Sequence, residues 1–362
     1  MNGIFDPFAI FDRFDLRVAA GSPVWTTLQL PRADANGLVD LGSWGTTRDT
    51  DSIYVPDYQG NIVEIPAGYP VLEGARIVDL GGGDIAYYMT DDVGDPITPA
   101  PVWIHYPAST NYFLNNESAV DQTSPSLATG SYTLSVIGSG SVEVAANTAT
   151  GTGFGTASEG TDITISIAGA GTVDFTVAGT PTSVQFEPLT FSTPHIQTAG
   201  SPVTRQVDNI IHPYSSAVFN QESFMVYMKI RIPNMVYSGN NAGFLSTNDA
   251  SRFSLLYKNT STTLATYDAV NTASISGVFV DSTNDDVFQF GVRGNSTDGK
   301  MQSVAKVNLD AIKLSSEVSY DGSFAVGSNI IIGKDAQFLF EIIELKIYNK
   351  DKGIDYLQSL FT

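Results

Sequence analysis

The chain has 362 residues, of which 42% are hydrophobic and 15% charged, and its formal net charge is −20. This length exceeds what one hydrophobic core organises, so we expect two or three domains. The negative charge argues against nucleic acid and anionic membranes as partners, because both bind through clustered Lys and Arg. The absence of cysteine excludes disulfides, thiolate metal sites and cysteine nucleophiles.

Residues 1–20 form a segment in which phenylalanine recurs every three positions with aspartate between the rings. A short amphipathic helix would place most of these rings on one stripe. Burial against the chain's own domain and insertion into a partner both fit this pattern. The candidate docking residues are Phe5, Phe8, Phe11 and Phe14. The segment lacks the basic region and unbroken apolar core of a signal peptide, so we expect synthesis in the cytoplasm without membrane insertion.

Residues 21–118 predict an irregular β-rich region with short strands at VWTTLQL (24–30) and SIYV (52–55). Turn signals such as DANG, DYQGN and LGGGD separate the apolar runs. Lysine is absent until Lys229, whereas the last part of the chain is much richer in basic residues. This change in composition predicts a domain boundary at about 196–215, with a weaker one near residue 118.

Residues 119–200 predict a small antiparallel β-sandwich, because five runs alternate strictly between apolar and polar residues and glycine clusters bound them. The residues expected to point inward are Tyr132, Leu134, Val136, Val142, Val144, Ile163, Ile165, Ile167, Val173, Phe175, Val177, Val184 and Phe186.

Residues 201–362 predict a larger jelly-roll sandwich of longer strands, such as SFMVYMKIRI (223–232) and FLFEIIELKIYNK (338–350). Only the tail DKGIDYLQSLF has a helical pattern. The sequence therefore predicts an all-β protein.

Catalytic patterns are missing. The three histidines, His105, His195 and His212, are scattered, which makes a Ser-His-Asp triad or a histidine metal site improbable. Glu341 and Glu344 are three residues apart, so on a regular strand they face opposite sides and cannot flank one glycosidic bond together. We expect no enzymatic activity.

Sugar binding requires aromatic rings and amide or carboxylate groups at turns, and the last domain supplies several. The candidate glycan-binding residues are Tyr237, Asn240, Asn241, Tyr257, Asn259, Tyr267, Asp268 and Asn271. An acidic group, Asn284, Asp285 and Asp286, supplies oxygen ligands suited to a Ca²⁺ ion. No other cofactor is indicated.

The run SVQFEPLTFSTPHIQTAGSPVTRQVDN (183–209) resembles one in fibre and spike proteins of tailed-bacteriophage virions, which reads V-Q-L-E, F-x-T-S-Y-I-P-T and V-T-R-x-A-D. It departs from that pattern at Phe186, Pro194, His195 and Gln197. STNYFLNNES (109–118) resembles the R-T-N-L-L-x-x-S-E of the same proteins, and GSYTLSVIGSG their carbohydrate-binding-module-like sandwich. The closing strand FLFEIIELKIYNKDKG resembles that of laminin-G and concanavalin-like lectin domains.

This resemblance implies a virion surface protein of the tail-fibre or head-fibre kind. Its N-terminal region would dock to other virion proteins, and its last domain would adhere to host-surface glycans, commonly as a homotrimer. A capsid decoration protein and a virion-associated glycan hydrolase are the alternatives. The stretch 193–209 is interpreted as a joint in which Arg205 and Asp208 tie the two sandwiches together.

Overall fold

The structure is a computed structural model. It describes residues 27–46, 52–233, 242–247, 254–258, 263–267, 271–276, 278, 285–322, 326–334 and 339–361. The docking arm with Phe5, Phe8, Phe11 and Phe14 lies outside the described residues, so both interpretations of it stay open.

The described part of the chain is built almost entirely from strands. The strands before residue 124 are β1 (Thr27–Gln29), β2 (Gly45–Thr46), β3 (Ile53–Pro56), β4 (Ile62–Ile65), β5 (Val71–Glu73), β6 (Arg76–Gly81), β7 (Asp84–Tyr88), β8 (Val102–His105), β9 (Ser109–Asn111) and β10 (Gln122–Thr123). Those of the middle region are β11 (Gly130–Ile137), β12 (Gly140–Ala146), β13 (Thr150–Thr152), β14 (Gly155–Ser158), β15 (Ile163–Gly169), β16 (Val173–Gly179) and β17 (Ser183–Glu187).

The last part of the chain contributes longer strands and one short helix. Its strands are β18 (Val203–Arg205), β19 (Ile210–Pro213), β20 (Ser223–Ile232), β21 (Ala242–Ser246), β22 (Ser254–Lys258), β23 (Leu264–Tyr267), β24 (Thr272–Ile275), β25 (Asp286–Asn295), β26 (Lys300–Val307), β27 (Lys313–Leu314), β28 (Val318–Ser319), β29 (Asn329–Ile332) and β30 (Phe340–Tyr348). The helix α1 (Ile354–Gln358) lies in the tail whose pattern predicted it. The all-β prediction is confirmed.

Two sheets form a large sandwich. A nine-stranded sheet has the order β27-β26-β25-β20-β30-β8-β5, with β1 beside β30 and β28 beside β26. A seven-stranded sheet has the order β2-β19-β29-β21-β22-β23-β24. Phe244 of the second sheet packs against Phe290 and Phe340 of the first, with ring centroids 5.0 and 5.7 Å apart. These buried rings join the two layers into one core.

The small sandwich consists of two four-stranded sheets, β10-β16-β12-β14 and β13-β15-β11-β17. Phe175 of one sheet meets Phe186 of the other at a centroid distance of 5.2 Å, and Phe113 packs on Phe175 at 5.0 Å. The residues predicted to point inward are buried, except that Ile163 and Val177 are only partly buried. This core is separate from that of the large sandwich.

Residues 21–118 do not form an independent region, which differs from the sequence-based division. Strands β1, β5 and β8 extend the nine-stranded sheet, and β2 extends the seven-stranded one. The edge of β30 presents N–H and C=O groups that need partners, and β8 supplies them by pairing Glu341 with Ile104. Short apolar runs carry no local sign of which distant edge they join, so composition alone separated segments that share one core.

The tail covers part of the outer face, which we define as the side of the nine-stranded sheet pointing away from the core. Leu357 and Phe361 are buried there against Tyr227 and Val304. Gly291 permits this approach, because an added Cβ at this position would lie 2.8 Å from Cδ1 of Leu357. The tail therefore forms a wall on the outer face.

Candidate functional site

Most of the predicted glycan-binding residues, namely Tyr237, Asn240, Asn241, Asn259 and Asp268, lie outside the described residues. Only the backbone of Tyr257 and Tyr267 is described, and Asn271 is half-buried just before β24. The glycan site therefore stays a prediction.

The predicted calcium site is described only in part, because Asn284 lies outside the described residues. Asp285 is exposed with a φ of 66°, and the carboxylate of Asp286 accepts a hydrogen bond from Nδ2 of Asn308 at 2.7 Å. The described residues contain no group of three Asp, Glu, His or Cys that could hold a metal ion. Calcium binding stays a prediction.

The outer face carries polar residues that alternate with core residues along each strand. In β20, Val226, Met228 and Ile230 are fully buried in the core, whereas Lys229 and Arg231 point the other way and are half-exposed. Four cations of this face form what we call the basic strip: Lys229, Arg231, Lys306 and Lys346. Arg293 and Lys300 lie on the same face outside the strip, and both are paired with carboxylates.

The strand register places the basic strip across four neighbouring strands. Lys229 lies opposite Gln289 on one side and Glu344 on the other, and Gln289 in turn lies opposite Lys306. Neighbouring strands are about 4.8 Å apart, so the backbones at Lys306 and Lys229 are roughly 10 Å apart. The polar residues therefore form one continuous row beside the wall made by the tail.

A β-bulge in β30 overturns the prediction that Glu341 and Glu344 face opposite sides. Glu341 lies opposite Arg231 and Glu344 opposite Lys229, while the register shifts by one residue between them. The bulge inserts an extra residue, exposed Ile343, and so turns both carboxylates to the outer face. The period-two rule failed here because it assumes an unbroken ladder.

Part of the charge on the basic strip is neutralised by these carboxylates. Nε of Arg231 donates to Glu341 at 2.6 Å, and Nζ of Lys346 lies 2.5 Å from Glu344. Lys306 donates to the backbone oxygen of Phe361 at 3.3 Å. Within the described part of the chain, the side chain of Lys229 has neither an ion pair nor a hydrogen bond. Sequence reasoning missed these residues, although lysine or arginine at alternate positions of predicted strands was a visible signal.

A second polar cluster, the joint network, lies between the small sandwich and the segment that follows it. The side-chain amide of Asn111 is buried, and its Oδ1 accepts from the backbone N–H groups of Phe113 and Phe186 at 3.0 and 2.9 Å. Its Nδ2 donates to the carbonyls of Val184 and Ile196 at 3.2 and 3.0 Å. One side chain thereby pairs the free edge of β17 as a neighbouring strand would.

Glu187 holds the other end of the joint network and is fully buried. Its carboxylate accepts hydrogen bonds from the hydroxyl of Ser109, the amide of Gln185, and both the N–H and the hydroxyl of Thr193, all between 2.6 and 2.7 Å. Burial raises the pKa of Glu187, and these hydrogen bonds oppose that rise. The carboxylate therefore fixes the segment after β17 against β9.

Arg205 and Asp208 join the same region to the large sandwich. Nη2 of Arg205 donates to the carbonyl of Pro107 at 3.0 Å, and its guanidinium lies 5.6 Å from the ring centroid of Tyr106. The carboxylate of Asp208 accepts a hydrogen bond from the hydroxyl of Thr46 in β2, and the backbone N–H of Asp208 donates to the backbone carbonyl of Tyr106. The stretch 193–209 is thus bonded to both sandwiches along its length.

One group in the joint network has the residue types of a catalytic triad. Oγ of Ser183 lies 2.7 Å from Nδ1 of His195, and Oε1 of Glu117 lies 3.7 Å from Nε2. Ser183 is only 6% exposed and also binds Nδ2 of Asn116 at 3.1 Å, while the His195 side chain is 8% exposed. A substrate carbonyl has no approach to this hydroxyl, so we interpret the group as part of the joint.

Comparisons with known proteins identify no family for this chain. No protein-family model matches the chain, and no curated protein matches it. Among solved structures, the chain is similar to the binding domain of botulinum neurotoxin serotype C1, with a TM-score of 0.33 and 14% identity over 43% of this chain and 40% of that one. That similarity is too low to carry a conclusion about function. Among the described residues, no helix has the length and apolar character needed to cross a membrane.

Proposed function

We propose that the chain is a non-catalytic structural protein of a tailed-bacteriophage virion, displayed on the particle surface in the manner of a tail or head fibre, where it adheres to host-surface glycans. The observation that supports this is the joint network. Gln185, Glu187 and Thr193, which carry the resemblance to phage virion proteins, bond to one another in the interior. Because each needs the others as partners, matching all of them together indicates a shared local fold.

The architecture suits display of a binding domain. The joint network and the contacts of Arg205 and Asp208 are buried, so the stretch between the sandwiches is held in place rather than left as a free linker. In this proposal the N-terminal region docks to other virion proteins and the large sandwich faces the host. Assembly as a homotrimer would multiply weak glycan contacts through multivalency.

The proposal is tested first by location. Particles assembled with the chain tagged at its C-terminus are imaged by electron microscopy with a labelled antibody. We expect label at the virion surface, and we expect loss of incorporation when residues 1–20 are removed. Particles that carry no label would refute the virion role.

Adhesion is tested on a glycan array with and without Ca²⁺. The full chain is the appropriate reagent, because a fragment starting near residue 210 would lack β1, β2, β5 and β8, which complete the sheets of the large sandwich. The expected result is binding to a defined group of bacterial surface glycans. Absence of binding in both conditions would refute adhesion.

A further inference from the structure

The outer face differs in charge from the rest of the molecule. The four cations of the basic strip stand against three carboxylates, Glu341, Glu344 and the neighbouring Glu73, which leaves a local balance of 4 − 3 = +1 on a chain whose net charge is −20. The described residues of the row place Lys229 and Lys306 on either side of Gln289. An anion is therefore attracted here although most of the surface repels it.

We infer that the basic strip binds a carboxylate-bearing polysaccharide, which makes an acidic glycan the ligand class of the proposed adhesion and rests on that proposed function. The ammonium groups of Lys229 and Lys306 would each bind a carboxylate, whereas Gln289 between them is only 2% exposed and would not contact the ligand. Charge-assisted hydrogen bonds of this kind are about twice as strong as neutral ones.

The chemistry of the row favours charge over stacking. Neutral sugars are held mainly through aromatic rings placed against their apolar faces, and the tyrosine nearest the row, Tyr227, is only 1% exposed. Its hydroxyl donates to Oε1 of Gln289 at 2.9 Å, which orients that amide beside the two lysines. The row thus offers the half-exposed ammonium groups of Lys229 and Lys306 but, among the described residues, no exposed aromatic ring for stacking.

The spacing of the cations favours a polysaccharide over nucleic acid. The two lysine positions are roughly 10 Å apart across the sheet, and Glu341 and Glu344 border the row on one side. Duplex DNA carries one charge per about 1.7 Å of its axis, which would bring phosphates against those carboxylates. A polysaccharide with one carboxylate per sugar has a lower charge density, so fewer of its charges face Glu341 and Glu344.

The tail gives the row one wall. Leu357 and Phe361 pack on the adjoining row of Tyr227, Gly291 and Val304, and the carbonyl of Phe361 positions the ammonium of Lys306. A chain-like ligand would therefore lie along this wall, over Lys306 and Lys229. The wall explains why an extended polymer, rather than a small anion, suits the surface.

The experiment measures binding of the full chain to polygalacturonate, with dextran as the neutral polymer, at low and at high salt. Lys229→Gln and Lys306→Gln each remove one strip cation. Lys313→Gln removes the same charge from β27, where its register partner Ala305 faces the core, and serves as the matched control. We expect polygalacturonate binding that weakens with salt, that falls roughly five- to tenfold in each strip variant, and that is unchanged in the control.

Each other outcome refutes one part of the proposal: the site, the acidic ligand or the adhesive function. Equal binding by all variants would refute the strip as the site, and binding of neutral glycans alone would refute the acidic ligand while leaving adhesion intact. No glycan binding at all would refute the proposed function as well. Competition by duplex DNA with the same loss in both strip variants would identify a general polyanion site instead. The thermal midpoint of Lys229→Gln should be unchanged, because the Lys229 side chain has no bonded partner in the described structure. Lys306→Gln loses the hydrogen bond to the carbonyl of Phe361, so a small fall is expected there, and one cooperative transition would show that this variant folds.

Discussion

Asn111 closes the edge of the small sandwich with a single amide, so its replacement by alanine is a direct test of the joint network. The side chain makes four hydrogen bonds to backbone groups of Phe113, Phe186, Val184 and Ile196. Alanine removes all four without adding bulk or charge. The surrounding strands cannot close the gap, because these backbone groups are already held in position by the sheet.

The expected loss follows from the groups left behind. The carbonyl of Ile196 keeps a second hydrogen bond from Asn116 at 3.1 Å, so three buried backbone groups lose this partner. A buried polar group without a partner costs about 1 to 3 kcal/mol, and the lower value applies where water can enter the cavity left by the amide. We therefore expect Asn111→Ala to lower the free energy of unfolding by about 3 kcal/mol.

The measurement is urea-induced unfolding of the full chain followed by circular dichroism, together with calorimetry. The two sandwiches have separate cores, so the transition of the small sandwich should shift while that of the large one stays. Asn147→Ala is the matched control, because its amide makes one exposed bond to Asp174 at 2.8 Å. A loss below about 1 kcal/mol for Asn111→Ala, or an equal loss in the control, would refute this account of the joint.

Two further predictions concern the tail and the buried histidine. Gly291→Val should detach the tail, because even a Cβ would lie 2.8 Å from Cδ1 of Leu357 and 3.1 Å from Cζ of Phe361. The measurement is the rate of tryptic cleavage after Lys352, which should rise. An unchanged rate would contradict the prediction. Burial lowers the pKa of His195 below 6.5, so the unfolded chain takes up the proton more readily than the folded chain. The neutral His195 therefore contributes to stability above about pH 6.5, and this contribution is lost as the pH falls below that value. His195→Gln should remove that slope in urea titrations between about pH 7.5 and 5.5; parallel curves for both proteins would show that His195 does not contribute.

The small sandwich shows how far local pattern reaches. Strict alternation predicted that Leu134, Val142 and Phe186 point inward, and all three are fully buried. Alternation succeeds because successive side chains in a strand point to opposite faces. A strand with one buried face therefore shows apolar residues at every second position of the sequence. The same alternation separates Val226 and Met228 from Lys229 in β20.

The candidate site was predictable only in part. Tyrosine and asparagine at turns drew attention to connections that lie mostly outside the described residues, whereas the basic strip is assembled from three strands far apart in the sequence, β20, β26 and β30. Each strand shows its own lysine or arginine, but register across strands decides which of them become neighbours. That information is carried by long-range pairing and not by any single segment.

By itself, the sequence determined the strand class of the protein, the inward face of the small sandwich and the helical tail, because these depend on contacts between residues close in the chain. Only the tertiary structure decided that β5 and β8 complete the nine-stranded sheet. It also decided that the bulge turns Glu341 and Glu344 to one face, and that Asn111 and Glu187 close the joint. The physical reason is common to all three: an unpaired strand edge or a buried polar group takes its partner from whichever distant segment the folded chain brings alongside it.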